Sequence, residues 1–150
     1  MKPGKVRAIA LCIFQKDGRI LAARGYDPVK NQVFYRPLGG TIEFGEPAAL
    51  TVVREIKEEL NLESTGIKYL GTLENIFTFA GKSGHEIVLI FDGAFVDPSV
   101  YQQAVLHGNE GNNEPILAEW IKIDDYSTGN TGANPPLYPT GLYELIRGLK

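Results

Sequence analysis

Between Pro47 and Leu60 the chain has neither glycine nor proline, and apolar residues recur at Ala49, Leu50, Val53, Ile56 and Leu60 with the spacing of an α-helix. At 100° per residue, Glu55, Glu58 and Glu59 fall within one band of that helix, because positions i, i+3 and i+4 share a face. Ala49, Val53, Ile56 and Leu60 cluster nearly opposite, so the helix is expected to bury one side against a sheet and to turn its acidic side toward a cleft. Like charges at i,i+4 destabilise a helix by roughly 0.2–0.5 kcal/mol per pair, and no Lys or Arg lies within the band. A solvated face is the ordinary use of such glutamates, so the decision rests on what surrounds them.

The surroundings read mostly as strands. Residues 6–14 are rich in β-formers and lead through Lys16-Asp17-Gly18, a hairpin-type turn, into a second short run at residues 20–23. Residues 25–32 read as a loop, residues 33–35 resume extended structure up to Pro37, and Gly39-Gly40 is expected to break it. Residues 67–79 and 86–96 form an expected hairpin joined by the turn-rich residues 80–84. Residues 97–114 are polar and read as a mobile surface loop, followed by a strand at 119–123, a long loop at 124–139 and a short closing helix at 142–149. No repeat or linker divides the 150 residues, a length suited to one domain, and strands interrupted by one main helix predict a mixed α/β sandwich.

Fifteen Lys plus Arg against eighteen Asp plus Glu leave a net charge of −3, with no basic excess for a nucleic-acid duplex or an anionic membrane. The lone cysteine, Cys12, lies in an apolar strand and reads as core. That run follows Lys2, Lys5 and Arg7, yet it is too short for a signal peptide and has no small-residue cleavage site. No segment has the roughly 20 apolar residues that span a bilayer. The expected compartment is the reducing cytoplasm.

Upstream of the helix, Gly39-Gly40 permits close backbone approach or positive φ, and Glu46 precedes Pro47 at the expected helix start, where the macrodipole favours a carboxylate by ~0.3–1 kcal/mol. Arg54 lies one turn before Glu58 and can pair with it or with Glu46, an orienting role. Gly40, Glu46, Arg54, Glu55, Ile56, Glu58, Glu59 and Leu62 together reproduce G-x5-E-x7-R-E-U-x-E-E-x-G-U, where U is a bulky aliphatic residue, with Asn61 in place of the last glycine. This pattern over residues 40–62 resembles the Nudix box. Asn tolerates the left-handed geometry that ends a helix, so Asn61 is expected to serve as its stop.

The resemblance implies a Nudix-type α/β/α sandwich with a mixed sheet, and a hydrolase that cleaves the diphosphate bond of a nucleoside diphosphate derivative, a nucleoside triphosphate or other small nucleotide. Carboxylates without His or Cys are hard oxygen ligands suited to Mg2+, or Mn2+, rather than to a structural zinc. By resemblance the backbone carbonyl of Gly40 and the side chains of Glu55, Glu58 and Glu59 are the metal ligands, with Glu55 a ligand or base. Some family members take their base from a glutamate six residues ahead of a tryptophan, and Glu114 stands six before Trp120, with Glu110 and Glu119 as rivals. Arg36 is placed to meet a phosphate, and Phe34, Tyr35, Phe77 and Phe79 to stack a nucleobase, although Phe77 and Phe79 also fit one face of a packed strand. His85 and His107 read as surface residues. The implied partner is a small nucleotide, and a homodimer is an allowed assembly.

Three rivals stand beside this reading. A catalytically silent nucleotide-sensing module on the same fold conflicts with intact Glu55, Glu58 and Glu59. Isopentenyl diphosphate isomerisation needs a catalytic cysteine, which Cys12 in an apolar strand does not supply. An acidic structural domain leaves the spacing of residues 40–62 unexplained.

Overall fold

The computed structural model describes residues 4–111 and 113–148; Lys2, Asn112 and Leu149, each part of a segment considered above, lie outside them. At the centre runs β1 (Val6–Lys16), whose side chains from Ile9 to Phe14 are all buried, as happens when a strand is covered on both faces. Alternation along the strand sorts them into two cores. Ala10, Cys12 and Phe14 pack with Val52, Ile56 and Leu60 of α1 (Ala48–Leu60), and Phe14 stacks on Phe95 with ring centroids 4.0 Å apart. Ile9, Leu11 and Ile13 pack on the other face with Leu142 and Ile146 of α2 (Leu142–Gly148).

The sheet is mixed. β1 pairs antiparallel with β2 (Arg19–Asp27) across the turn Asp17-Gly18 and with β4 (Leu38–Thr41), and parallel with β6 (Lys82–Phe95). β2 also pairs with β3 (Gln32–Arg36) and with β8 (Pro115–Lys122), β7 (Val105–Asn109) lies beyond β8, and β5 (Ser64–Phe79) flanks β6. The order β5-β6-β1-β2-β8-β7, with β3 on β2 and β4 on β1, has one helix on each face. This is the α/β/α sandwich expected from the sequence. No helix among the described residues is long and apolar enough to cross a membrane.

Several segments depart from the expectation. The loop expected at residues 25–32 contracts to a turn at 28–31: β2 continues to Asp27, whose carboxylate accepts hydrogen bonds from the backbone of Val29 (2.9 Å) and Lys30 (3.1 Å) and so tightens the turn into β3. The turn placed at residues 80–84 shrinks to Ala80-Gly81, both at positive φ, because the Ala80 amide donates to the same aspartate at 3.2 Å. The polar stretch 97–114 contains a 3₁₀ turn (Pro98–Gln102) and the whole of β7, a strand that alternation hid because only Leu106 in it is buried. On α1 the buried stripe is Thr51, Val52, Ile56 and Leu60, while Leu50 is exposed, so the carboxylates flank the core face instead of opposing it. Asn61 ends the helix as expected, with φ 56° and its N–H donating to Lys57 O.

Gly39-Gly40 does not break the chain either. Both residues are paired within β4, opposite Leu11 and Ala10, and Gly39 has φ 154°. A Cβ on Gly39 would sit 2.0 Å from the Ala10 carbonyl oxygen. Gly39→Ala is therefore expected to lower the melting temperature by about 5–15 °C, since the clash is with backbone that cannot move without unpairing β1; a shift below about 2 °C in a thermal melt contradicts this account.

Candidate active site

The start of α1 is held by charge. Pro47 supplies no capping side chain, and Glu46 takes over: its carboxylate accepts from the Thr51 hydroxyl at 2.7 Å and from the Glu43 amide at 3.3 Å. Arg54 grips the same carboxylate as a fork, Nε at 2.7 Å and Nη2 at 2.9 Å, which pulls the Glu46 pKa down to about 2 and raises that of Arg54. Arg54 also donates to Glu55 (2.9 Å), Glu58 (3.3 Å) and the Thr41 carbonyl (3.2 Å). The positive partner missing from the acidic band is thus the neighbouring residue, bent back over it.

The four carboxylates nearby are not equivalent. Glu55 lies flat against Gly40, whose absent side chain makes the room: a Cβ there would be 2.4–2.8 Å from the Glu55 carboxylate. Glu58 stands at the rim with its side chain 58% exposed. Glu59 points inward; its Oε1 is buried and has no hydrogen-bond partner among the described residues. Burial, and then the charges of Glu55 and Glu110, push the Glu59 pKa up to about 8. Burial raises that of Glu55 as well. Glu110 reaches this place because Gly108 in β7 packs its α-carbon on the end of α1, where a Cβ would meet the Glu59 carbonyl at 2.2 Å. Glu110 then closes a turn, its amide donating to Glu114 O at 2.8 Å. With Gly40, Arg7, Arg36 and Asn109, these carboxylates line an open cleft of about 740 Å³.

The family model of the NUDIX domain matches residues 4–140. The chain belongs to that family. No curated protein matches it. Among solved structures, it resembles a NUDIX hydrolase from Nitrosomonas europaea (17% identity, 97% of this chain and 88% of that one, TM-score 0.62). It also resembles a MutT NUDIX hydrolase from Burkholderia pseudomallei (22%, 95% and 97%, TM-score 0.55) and the E. coli ORF135 protein (21%, 97% and 91%, TM-score 0.57). These likenesses are of fold.

Within this Nudix fold, two chambers collect most of the sequence-predicted residues, but not Arg54, Tyr35 or Glu114. The cleft holds Gly40, Glu55, Glu58 and Glu59, with Arg54 behind them. Among the described residues, no three His, Cys, Asp or Glu side chains stand together as a ready metal cage, because Arg54 draws Glu55 and Glu58 toward itself and Glu59 turns inward. The second chamber, about 250 Å³, is lined by Phe34, Phe77 and Phe79, and Arg36 belongs to both. Tyr35 lines neither. Alternation on β3 sends it to the face opposite Phe34 and Arg36, where its hydroxyl donates to Glu119 at 3.0 Å and its backbone pairs with Pro136 and Tyr138. The expectation that Tyr35 faces a nucleobase is thus corrected: it faces away from the chamber that Phe34 lines. Glu114 is exposed and does not line the cleft; of the glutamates considered as base, Glu110 does. His107 is exposed, and His85 meets Glu74 at 2.8 Å on the surface.

Sequence reading passed over Arg7, Asn75 and Glu86. Glu86 had a signal: it shares the parity of Val88 and Ile90, so a charge stands where alternation calls for core.

The buried Glu59 carboxyl sets a pH dependence. An ordinary Glu ionises near 4.3, so between about pH 4.3 and 8 the folded chain holds a proton that the unfolded chain has lost, and stability falls as pH rises through that window. In metal-free buffer the melting temperature of Glu59→Gln is expected to gain on wild type by several degrees from pH 5 to pH 9. Parallel curves for the two proteins would show that Glu59 is not held protonated.

Proposed function

We propose that this Nudix protein hydrolyses the diphosphate linkage of a nucleoside diphosphate derivative, a nucleoside triphosphate or other small nucleotide, with Mg2+ or Mn2+ as cofactor. The observation that carries the reading is the cleft itself: a buried carboxylate oxygen on Glu59 without a hydrogen-bond partner among the described residues and the Glu55 carboxylate laid against Gly40, all hard oxygen donors, adjoin an arginine that leads to an aromatic pocket. These donors fit a divalent cation, with Glu55, Glu58, Glu59 and the Gly40 carbonyl as its holders. When bound, the cation neutralises phosphate charge and lowers the pKa of a water molecule.

The chain's own residues do the rest. Arg36, a third exposed, donates to a phosphate oxygen at the junction of the two chambers. Arg54 positions Glu55 and Glu58. Glu110 accepts the proton as the oxygen of water attacks phosphorus and the bridging P–O bond breaks, the leaving phosphate departing with the bridging oxygen. Phe34 and Phe77 offer ring faces to the base.

A panel of nucleoside diphosphate derivatives, read by phosphate release after a phosphatase step, is expected to show turnover that EDTA abolishes and that Glu58→Gln lowers about 10²-fold or more. Equal turnover by both proteins overturns the assignment, and tight binding without turnover indicates a sensor. Glu110→Gln is expected to lower kcat about 10²-fold or more and Glu114→Gln about twofold or less, measured at saturating substrate; the reverse pattern returns the base to Glu114.

A further inference from the structure

The smaller chamber has a polar floor that the reading above leaves without a task. Arg7, Glu86 and Asn75 are direct cross-strand neighbours on β1, β6 and β5, one row across a face that is otherwise apolar core. Glu86 is 2% exposed, yet its Oε1 has no hydrogen-bond partner among the described residues; the nearest cation is Arg36 Nη2 at 3.5 Å, and Arg7 lies 3.9 Å from the other oxygen. Its charge is balanced by the two arginines while Oε1 accepts no hydrogen bond from the described residues, which is costly for a buried carboxylate. Asn75 is 5% exposed, lines the chamber, and its Oδ1 accepts from the Thr140 amide at 3.4 Å, while its side-chain NH2 is a hydrogen-bond donor.

The walls are planar and fixed. Phe77 lies over Gly84, where a Cβ would meet the ring at 2.2–2.8 Å, and Phe34 lies over Gly25 in the same way at 2.4–2.8 Å. About 250 Å³ is below the roughly 300 Å³ at which pockets for drug-sized ligands begin, so the chamber takes one aromatic head group and leaves the remainder of a nucleotide to the adjoining cleft.

We infer that this chamber selects guanine, with Glu86 accepting the N1–H and 2-amino hydrogens and Asn75 donating to the 6-oxo group. Guanine alone among the common bases presents two adjacent donors beside a carbonyl. Adenine and cytosine would set a ring-nitrogen acceptor against the carboxylate, and uracil has a single N–H between two carbonyls. The inference rests on the nucleotide-hydrolase reading for its substrate, but its test requires no hydrolysis.

Calorimetric binding of GMP, IMP, AMP, CMP and UMP to the full chain in EDTA-containing buffer is expected to show GMP tightest, by about tenfold or more over AMP, CMP and UMP and about fivefold over IMP, which lacks the 2-amino group. Glu86→Gln is expected to collapse the preference to about twofold or less. If Glu86 only braces Arg36, the variant weakens all five ligands alike and the ratio survives, which overturns the inference; so does wild type binding all five equally, a measurement that stands even if the variant does not fold. Guanine preference without hydrolysis of any nucleoside diphosphate derivative in the panel would overturn the hydrolase reading alone, and hydrolysis without base preference would overturn this inference alone.

Discussion

A strand buried on both faces has to be covered twice, and the run from Ile9 to Phe14 imposes that condition on this chain. Even-numbered residues call α1 onto one side, odd-numbered residues call α2 onto the other, and the same strand carries β4 along its edge. Because β4 holds Gly39 and Gly40 against β1, the backbone of Gly40 faces α1 at a distance that only a missing side chain allows. The carboxylate of Glu55 is seated in that gap. The site follows from the layering.

Charge then divides the glutamates. One guanidinium, that of Arg54, serves Glu46, Glu55 and Glu58 and ties the start of the helix to the strand before it through Thr41. Glu59 receives nothing from it and is buried beside Glu55 and Glu110. One guanidinium set against the carboxylates of Glu46, Glu55 and Glu58 leaves an excess of negative charge in a partly desolvated cleft, an arrangement that favours whatever positive charge enters. Stability is surrendered where binding is needed, as is common at functional sites.

The two chambers meet at Arg7 and Arg36, which line both. Glu86 lies between these arginines in the smaller chamber, and the acidic helix lines the larger. Such a layout suits an elongated ligand with an aromatic end, a polyanionic end and cation contacts between them. Burial holds the Arg36 pKa below the usual arginine value; Glu86 opposes that shift and the charge of Arg7 adds to it.

The main helix, its stop at Asn61, the Asp17-Gly18 hairpin and the pattern of residues 40–62 were all legible before any coordinates, because periodicity, turn chemistry and capping act within a few residues of one another. Other features depend on partners far away in the chain. Glu55, Glu58 and Glu59 look alike on a helical wheel, and only the arrival of β4 at Gly40 and of β7 at Gly108 makes one seated, one exposed and one buried. Likewise, Tyr35 and Phe34 are interchangeable as aromatic letters until pairing with β2 turns one to the core and the other to the pocket. Local sequence decided which elements form and where they stop. Tertiary packing decided which of their side chains keep water, since desolvation is a property of everything that surrounds a group and not of its neighbours in the chain.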